Sequence, residues 1–103
     1  MKEDKREKPR NLSLTEVTFE HEGMSFQGRV SDLSEGGFYI DTINPLPVGT
    51  TIGFRFFLPG MGPDALIIGE GTVAWQRRHL GMGVRFIALD EESLGYVRRY
   101  LKH

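Results

Sequence analysis

Ser31-Asp32-Leu33-Ser34-Glu35-Gly36-Gly37-Phe38-Tyr39-Ile40 changes character in its middle, and the rest of the chain can be arranged around that change. Ahead of it, Phe26-Gln27-Gly28-Arg29-Val30 alternates. Behind the glycines, Phe38-Tyr39-Ile40 has the aromatic and β-branched composition of a strand. Between the two lie a carboxylate, a hydroxyl and a glycine pair. Gly36 and Gly37 are open to positive φ and to close approach of another backbone or a ligand. Asp32 and Ser34 stand two apart, so a strand continued through them would point both side chains to one face. From this stretch alone two readings stay open. Asp, Ser and Gly are ordinary hairpin residues that hydrogen-bond their own backbone, and the same groups offer acceptors and amide donors to a polar ligand.

Outward from this point the pattern is β almost throughout. Residues 14–20 alternate with Val17 and Phe19 inward, and His21-Glu22-Gly23 turns the chain into a second strand over 24–30. The glycine pair leads into a third over 38–42. A fourth covers 51–58, with Ile52, Phe54, Phe56 and Leu58 on one apolar face. The fifth, over 66–76, carries Gly69 and Gly71 as bulge or bend points, and the sixth covers 82–88. Short strands joined by Gly- and Pro-rich loops predict a mainly β fold, a closed six-stranded antiparallel barrel. The period then switches. Asp90 reads as an N-cap, Glu91 and Glu92 sit in the first turn, and Arg98, Arg99 and Lys102 lie near the end, in the order that complements a helix dipole. Leu94, Val97 and Leu101 fall on one face of this C-terminal helix, which is expected to close one end or side of the barrel.

Whole-chain quantities narrow the function classes. At 103 residues the chain is long enough for one domain with its own core. With no cysteine, thiol catalysis, disulfides and thiolate metal sites are excluded. A net charge of −1 argues against general binding of DNA or RNA. No apolar run has the length of a membrane span or a signal-peptide core, so a cytoplasmic location without membrane insertion is expected.

Charge is uneven, however. Residues 1–11 carry Lys2, Lys5, Arg6, Lys8 and Arg10 against Glu3, Asp4 and Glu7, with no apolar side chain beyond Met1. Such a segment cannot be buried in a core. The expectation is therefore a flexible basic tail over 1–11 and a barrel with its helix over 12–103. Arg6 and Arg10 are planar bidentate donors spaced four apart, the side-chain type best matched to phosphate and to a guanine edge.

Arg6-x-x-x-Arg10 followed by Asp32-x-Ser34-x-x-Gly37 resembles the paired motif of PilZ domains, bacterial receptors for the second messenger cyclic di-GMP. The similarity extends to Gly71-Thr72-Val73-Ala74-Trp75 and Gly81-Met82-Gly83-Val84-Arg85-Phe86, which look like the later strands of that family's barrel. The resemblance implies a six-stranded barrel with a terminal helix, and a receptor or effector that signals to a protein partner in motility, pilus, chemotaxis, secretion or polysaccharide machinery. It implies that Arg6 and Arg10 wrap over the nucleotide while the turn from Asp32 to Gly37 holds it against the barrel. By the same resemblance Lys5, just before Arg6, favours an intercalated pair of ligand molecules over a single one, and both stoichiometries stay open. Chemically, a carboxylate can accept from guanine N1–H and N2–H₂ together, so Asp32 is the candidate reader of guanine. Ser34 and the amides near Gly36 and Gly37 are candidates for further hydrogen bonds. Trp75 reads either as a core aromatic or as a ring near the ligand.

Competing classes fare less well. His21, His79 and His103 have no metal-ligand spacing. Gly69-x-Gly71 and Gly81-x-Gly83 lack the third glycine and following helix of a dinucleotide fingerprint, and Ser34 has no nucleophile elbow. No enzyme activity and no cofactor or metal are expected. A barrel for single-stranded RNA needs exposed aromatics in a basic groove, whereas Phe54 and Phe56 share their face with Ile52 and Leu58 and read as core. A PilZ-like adaptor that docks to protein without binding nucleotide stays as the alternative.

Overall fold

The computed structural model describes residues 15–102. The expectations for residues 1–11, including the positions of Lys5, Arg6 and Arg10, lie outside the described residues. Six strands are followed by one helix: β1 (Thr15–His21), β2 (Met24–Ser31), β3 (Gly37–Asp41), β4 (Thr51–Phe57), β5 (Leu66–Arg77), β6 (Gly81–Leu89) and α1 (Glu91–Leu101). The strands close into a barrel in the order β1-β2-β3-β6-β5-β4, with every neighbouring pair antiparallel. Closure gives each of the six described strands a partner on both sides. The mainly β, six-stranded barrel with a C-terminal helix expected from the sequence is the fold observed.

Alternation explains the core. Val17 and Phe19 of β1, Ile52, Phe54 and Phe56 of β4, and Met82 and Val84 of β6 are all buried. The centre is aromatic: the Phe38 ring lies 4.9 Å from Phe54, 5.1 Å from Phe56 and 5.6 Å from Phe86, in edge-on and tilted geometries. Such offsets are the favourable arrangements for ring quadrupoles. The β1–β2 connection is a two-residue turn with Glu22 and Gly23 at φ of 52° and 80°, the backbone hand that matches strand twist in tight hairpins.

The helix is fastened through one serine. Asp90 caps α1 by accepting from the Ser93 amide at 2.8 Å. Hydrogen bonds from Ser93 hold the Asp90 carboxyl below its ordinary pKa. The buried Ser93 hydroxyl in turn accepts from the Ile68 amide at 2.9 Å and donates to the Leu66 carbonyl at 3.4 Å. The β5–β6 ladder runs out at Gly69 opposite Leu89, so Leu66 and Ile68 lie beyond β6 and Ser93 takes up their backbone groups. Val97 is fully buried, with Leu101 and Tyr100 packed against the same core.

The β5–β6 register shifts between Glu70 and Gly71, where the extra residue is Ile87 of β6, and again between Val73 and Trp75. The first lies at the glycine pair expected to mark a bend. The second places Val73 opposite Val84 and Trp75 opposite Gly83, leaving Ala74 as the extra residue. A bulge of this kind re-aims the side chains that follow it.

Candidate functional site

The turn between β2 and β3 is built from its own side chains. β2 stops at Ser31, and Asp32 takes a φ of 52°, so the strand does not continue through the motif. Leu33 drops into the core and anchors the turn. The Ser34 amide donates to the Gly37 carbonyl at 2.8 Å, and the Ser34 hydroxyl donates to the same carbonyl and accepts from the Gly36 amide, each at 3.2 Å. Asp32 and Ser34 therefore end on the same side of the barrel because of a self-bonded turn, not because of strand alternation.

Of the two uses open to these glycines, close approach is the one the structure shows, and it falls on Gly37. Neither Gly36 nor Gly37 has a positive φ, and the Gly36 amide is already engaged by Ser34. What glycine supplies at position 37 is room. A Cβ there would collide with the Val84 carbonyl oxygen and sit 2.9 Å from its carbon and 3.0 Å from Arg85 Cα. At position 36 the nearest atom would be Ser34 Oγ at 4.0 Å, so that glycine is not sterically required. The close contact at Gly37 goes with a 2.8 Å hydrogen bond from the Phe86 amide to the Gly36 carbonyl, which ties the turn to β6.

Beside the turn, the outer face of β3, β6 and β5 forms a concavity of about 260 Å³ that gathers Asp32, Ser34, Gly36, Gly37, Tyr39, Trp75 and Arg85. Its floor is glycine. Gly83 pairs with Tyr39 on one side and Trp75 on the other, and Gly81 precedes it facing the same way. A Cβ on Gly83 would run into the indole of Trp75, 2.9 Å from Cδ1 and closer to Nε1 and Cε2, and one on Gly81 would lie 2.6 Å from Tyr39 Cζ. Two bare positions on β6 thus let two rings lie over the strand, their centroids 5.2 Å apart and 30° from parallel.

Trp75 is 48% exposed, which removes the core reading of this residue. The Arg77 guanidinium carbon lies 5.9 Å from its ring centroid, within cation–π range. Burial raises the Tyr39 phenol above its ordinary pKa, with Arg77 opposing the shift and Asp41 adding to it. The group is consequently a neutral hydroxyl that can donate a hydrogen bond at neutral pH.

The structure thus brings together Asp32, Ser34, Gly36 and Gly37, and adds Tyr39, Trp75 and Arg85. Tyr39 and Arg85 were not singled out from the sequence. Strand alternation alone would have pointed them outward beside the motif, since Phe38, Ile40 and Val84 point in. No group of three or more His, Asp or Glu side chains is placed to hold a metal ion among the described residues. None of the described helical residues forms a helix long and apolar enough to cross a membrane.

A barrel of this order, with a self-bonded Asp-x-Ser-x-x-Gly turn pinned to its outer wall, defines a class of domain. The chain belongs to the PilZ domain family, whose family model matches residues 4–103, nearly the whole sequence. PilZ is a family of cyclic di-GMP-binding domains, receptors rather than enzymes. Among curated individual proteins, none matches the sequence closely.

Proposed function

We propose that this chain is a cyclic di-GMP receptor whose ligand lies in the concavity beside the Asp32–Gly37 turn, and which regulates a partner protein when occupied. The observation that carries this reading is the shared concavity: the motif carboxylate, Asp32, opens onto the same space as an exposed indole. Asp32 accepts from guanine N1–H and N2–H₂. Ser34 holds the turn and keeps one hydroxyl lone pair for the ligand. The Trp75–Tyr39 pair offers a flat surface on which a purine can stack, and base–aromatic stacking contributes about 1–3 kcal/mol per base. Arg6 and Arg10 close over the phosphates from the N-terminal segment, and Lys5 favours a ligand pair.

Signalling follows from composition. Residues 1–11 have no apolar side chain beyond Met1 to hold them to a core, so ligand supplies the contacts that position Arg6 and Arg10. Ligand and segment together then form a surface that a partner recognises.

Calorimetric titration with cyclic di-GMP, with GTP and GMP as controls, tests the reading. Arg10→Ala and Asp32→Ala should each lose a charge-assisted hydrogen bond, roughly 1.5–3 kcal/mol, or about tenfold to a hundredfold in affinity. Arg6→Ala should act in the same direction. With a ligand pair the wild type takes two nucleotides per chain, and Lys5→Leu moves toward one. Backbone amide relaxation of residues 2–10, with and without ligand, tests the signalling step. Absence of binding by the wild-type chain would leave the adaptor that docks without nucleotide.

A further inference from the structure

Cyclic di-GMP is a dianion, and the described part of the groove proposed to hold it is nearly neutral. Among the described residues that line the concavity, Asp32 is the one anion and Arg85 the one cation. The arginines of the sequence motif come from residues 1–11, so the cation that the barrel itself places in the lining is Arg85.

Its position is set by the backbone on both sides. Arg85 is paired with Gly37 across the β3–β6 ladder. The next residue, Phe86, donates its amide to Gly36 at 2.8 Å, and the one before, Val84, is buried and carries the carbonyl against which Gly37 packs. The Arg85 Cα is thus held by the same contacts that shape the motif turn, while its exposed side chain stands over the groove. Along the outward row of β6 it follows Gly81 and Gly83, the two bare positions beneath the rings. It is the first outward side chain of that strand to reach the motif turn.

We infer that Arg85 is a ligand-binding residue of this site, a phosphate subsite built into the rigid barrel wall that acts independently of the N-terminal segment. The inference rests on the cyclic di-GMP reading above and adds to it a residue outside the Arg-x-x-x-Arg and Asp-x-Ser-x-x-Gly motifs. An arginine whose backbone is held in the barrel wall is in place when ligand arrives. Guanidinium is suited to this because its planar fork meets two phosphate oxygens at once.

The test is titration of the full chain with cyclic di-GMP at several salt concentrations, for wild type, Arg85→Gln, Arg85→Lys and the helix control Arg98→Gln. Arg85→Gln should bind roughly tenfold or more weakly, the fold-change of a lost charge-assisted hydrogen bond. Its affinity should also depend less steeply on salt than that of the wild type, because one cation–phosphate contact has gone. Arg85→Lys should restore the salt dependence and part of the affinity. Arg98→Gln, which removes the same charge from the helix and not from the groove lining, should match the wild type. In the wild-type protein the Arg85 Nε–H resonance should move on ligand addition, a readout that does not depend on any variant folding. Wild-type binding with an unmoved Arg85 resonance, or with Arg85→Gln equal to wild type in affinity and salt dependence, overturns the subsite while leaving the receptor reading intact. No binding by the wild type overturns the receptor reading, and the subsite with it.

Discussion

The glycine pair of the motif offers a sharp perturbation, because its two members sit in opposite steric situations. In Gly37→Ala the new methyl would lie 2.9 Å from the Val84 carbonyl carbon and nearer still to its oxygen, where unstrained heavy-atom contacts begin at about 3.5 Å. The obstacle is paired backbone, so it cannot rotate away as a side chain would. Relief requires β3 to move off β6 locally, straining the 2.8 Å bonds from Phe86 to Gly36 and from Ser34 to Gly37. Overpacking of this kind costs roughly 1–3 kcal/mol and each of the two weakened hydrogen bonds up to about 1 kcal/mol, together roughly 1–5 kcal/mol. Small domains have only about 5–15 kcal/mol in total. At about 4–8 °C per kcal/mol the melting midpoint should fall by roughly 4–40 °C. Gly36→Ala meets only Ser34 Oγ at 4.0 Å and has no positive φ to lose, so its effect should stay within about 0.5 kcal/mol. Thermal unfolding followed by circular dichroism on both variants decides it. A Gly37→Ala midpoint equal to that of the wild type, or a Gly36→Ala loss as large as that of Gly37→Ala, would refute the packing argument.

The remaining predictions concern the aromatic platform and the helix. Trp75→Ala should leave the midpoint nearly unchanged, since the ring is half exposed, and should weaken cyclic di-GMP binding by the loss of about 1–3 kcal/mol of stacking, measured by calorimetry. Because Trp75 is the chain's one tryptophan, Gly83→Ala, which pushes the indole off β6, should shift the intrinsic emission spectrum; an unchanged spectrum would argue against the platform. Ser93→Ala leaves the Ile68 amide without its acceptor and should cost about 1–3 kcal/mol in denaturant unfolding, with ligand affinity untouched. Asp90 has its folded-state pKa depressed by the hydrogen bonds from Ser93, so its ionised form is the one the cap favours. That contribution is fully present above the unfolded carboxylate pKa of about 3.9 and is lost as pH falls through the folded value. The stability difference between wild type and Asp90→Ala should accordingly shrink on acidification below about pH 4 and be constant near neutrality.

The fold was legible in the sequence because its signals are local and repeated. Val17 and Phe19, then Ile52, Phe54, Phe56 and Leu58, recur at period two, and a single inward face over several short strands leaves a barrel as the economical closure. The helix announced itself through Asp90 and the spacing of Leu94, Val97 and Leu101, and its cap is observed as expected. The position of the motif between two strands was likewise readable, since a carboxylate, a hydroxyl and paired glycines interrupt the alternation there.

Pairing between strands decided the rest. Alternation alone puts Trp75 on the inner face with Val73. Only the β5 bulge, which seats Val73 against Val84 and Trp75 against Gly83, turns the indole out to the groove. The glycines at 81 and 83 carry no sign of their purpose until Tyr39 and Trp75 are seen lying over them. Gly37 could be read as a residue needing positive φ or as one needing space, and the choice depends on how near Val84 comes, which is a property of β6 docking against β3. Arg85 is separated from Asp32 by more than half the chain and meets it only because β3 and β6 are neighbours in the closed barrel. Period and composition act between residues a few positions apart, so they determine elements. A site made where distant strands touch is determined by register, which a single unpaired strand does not carry.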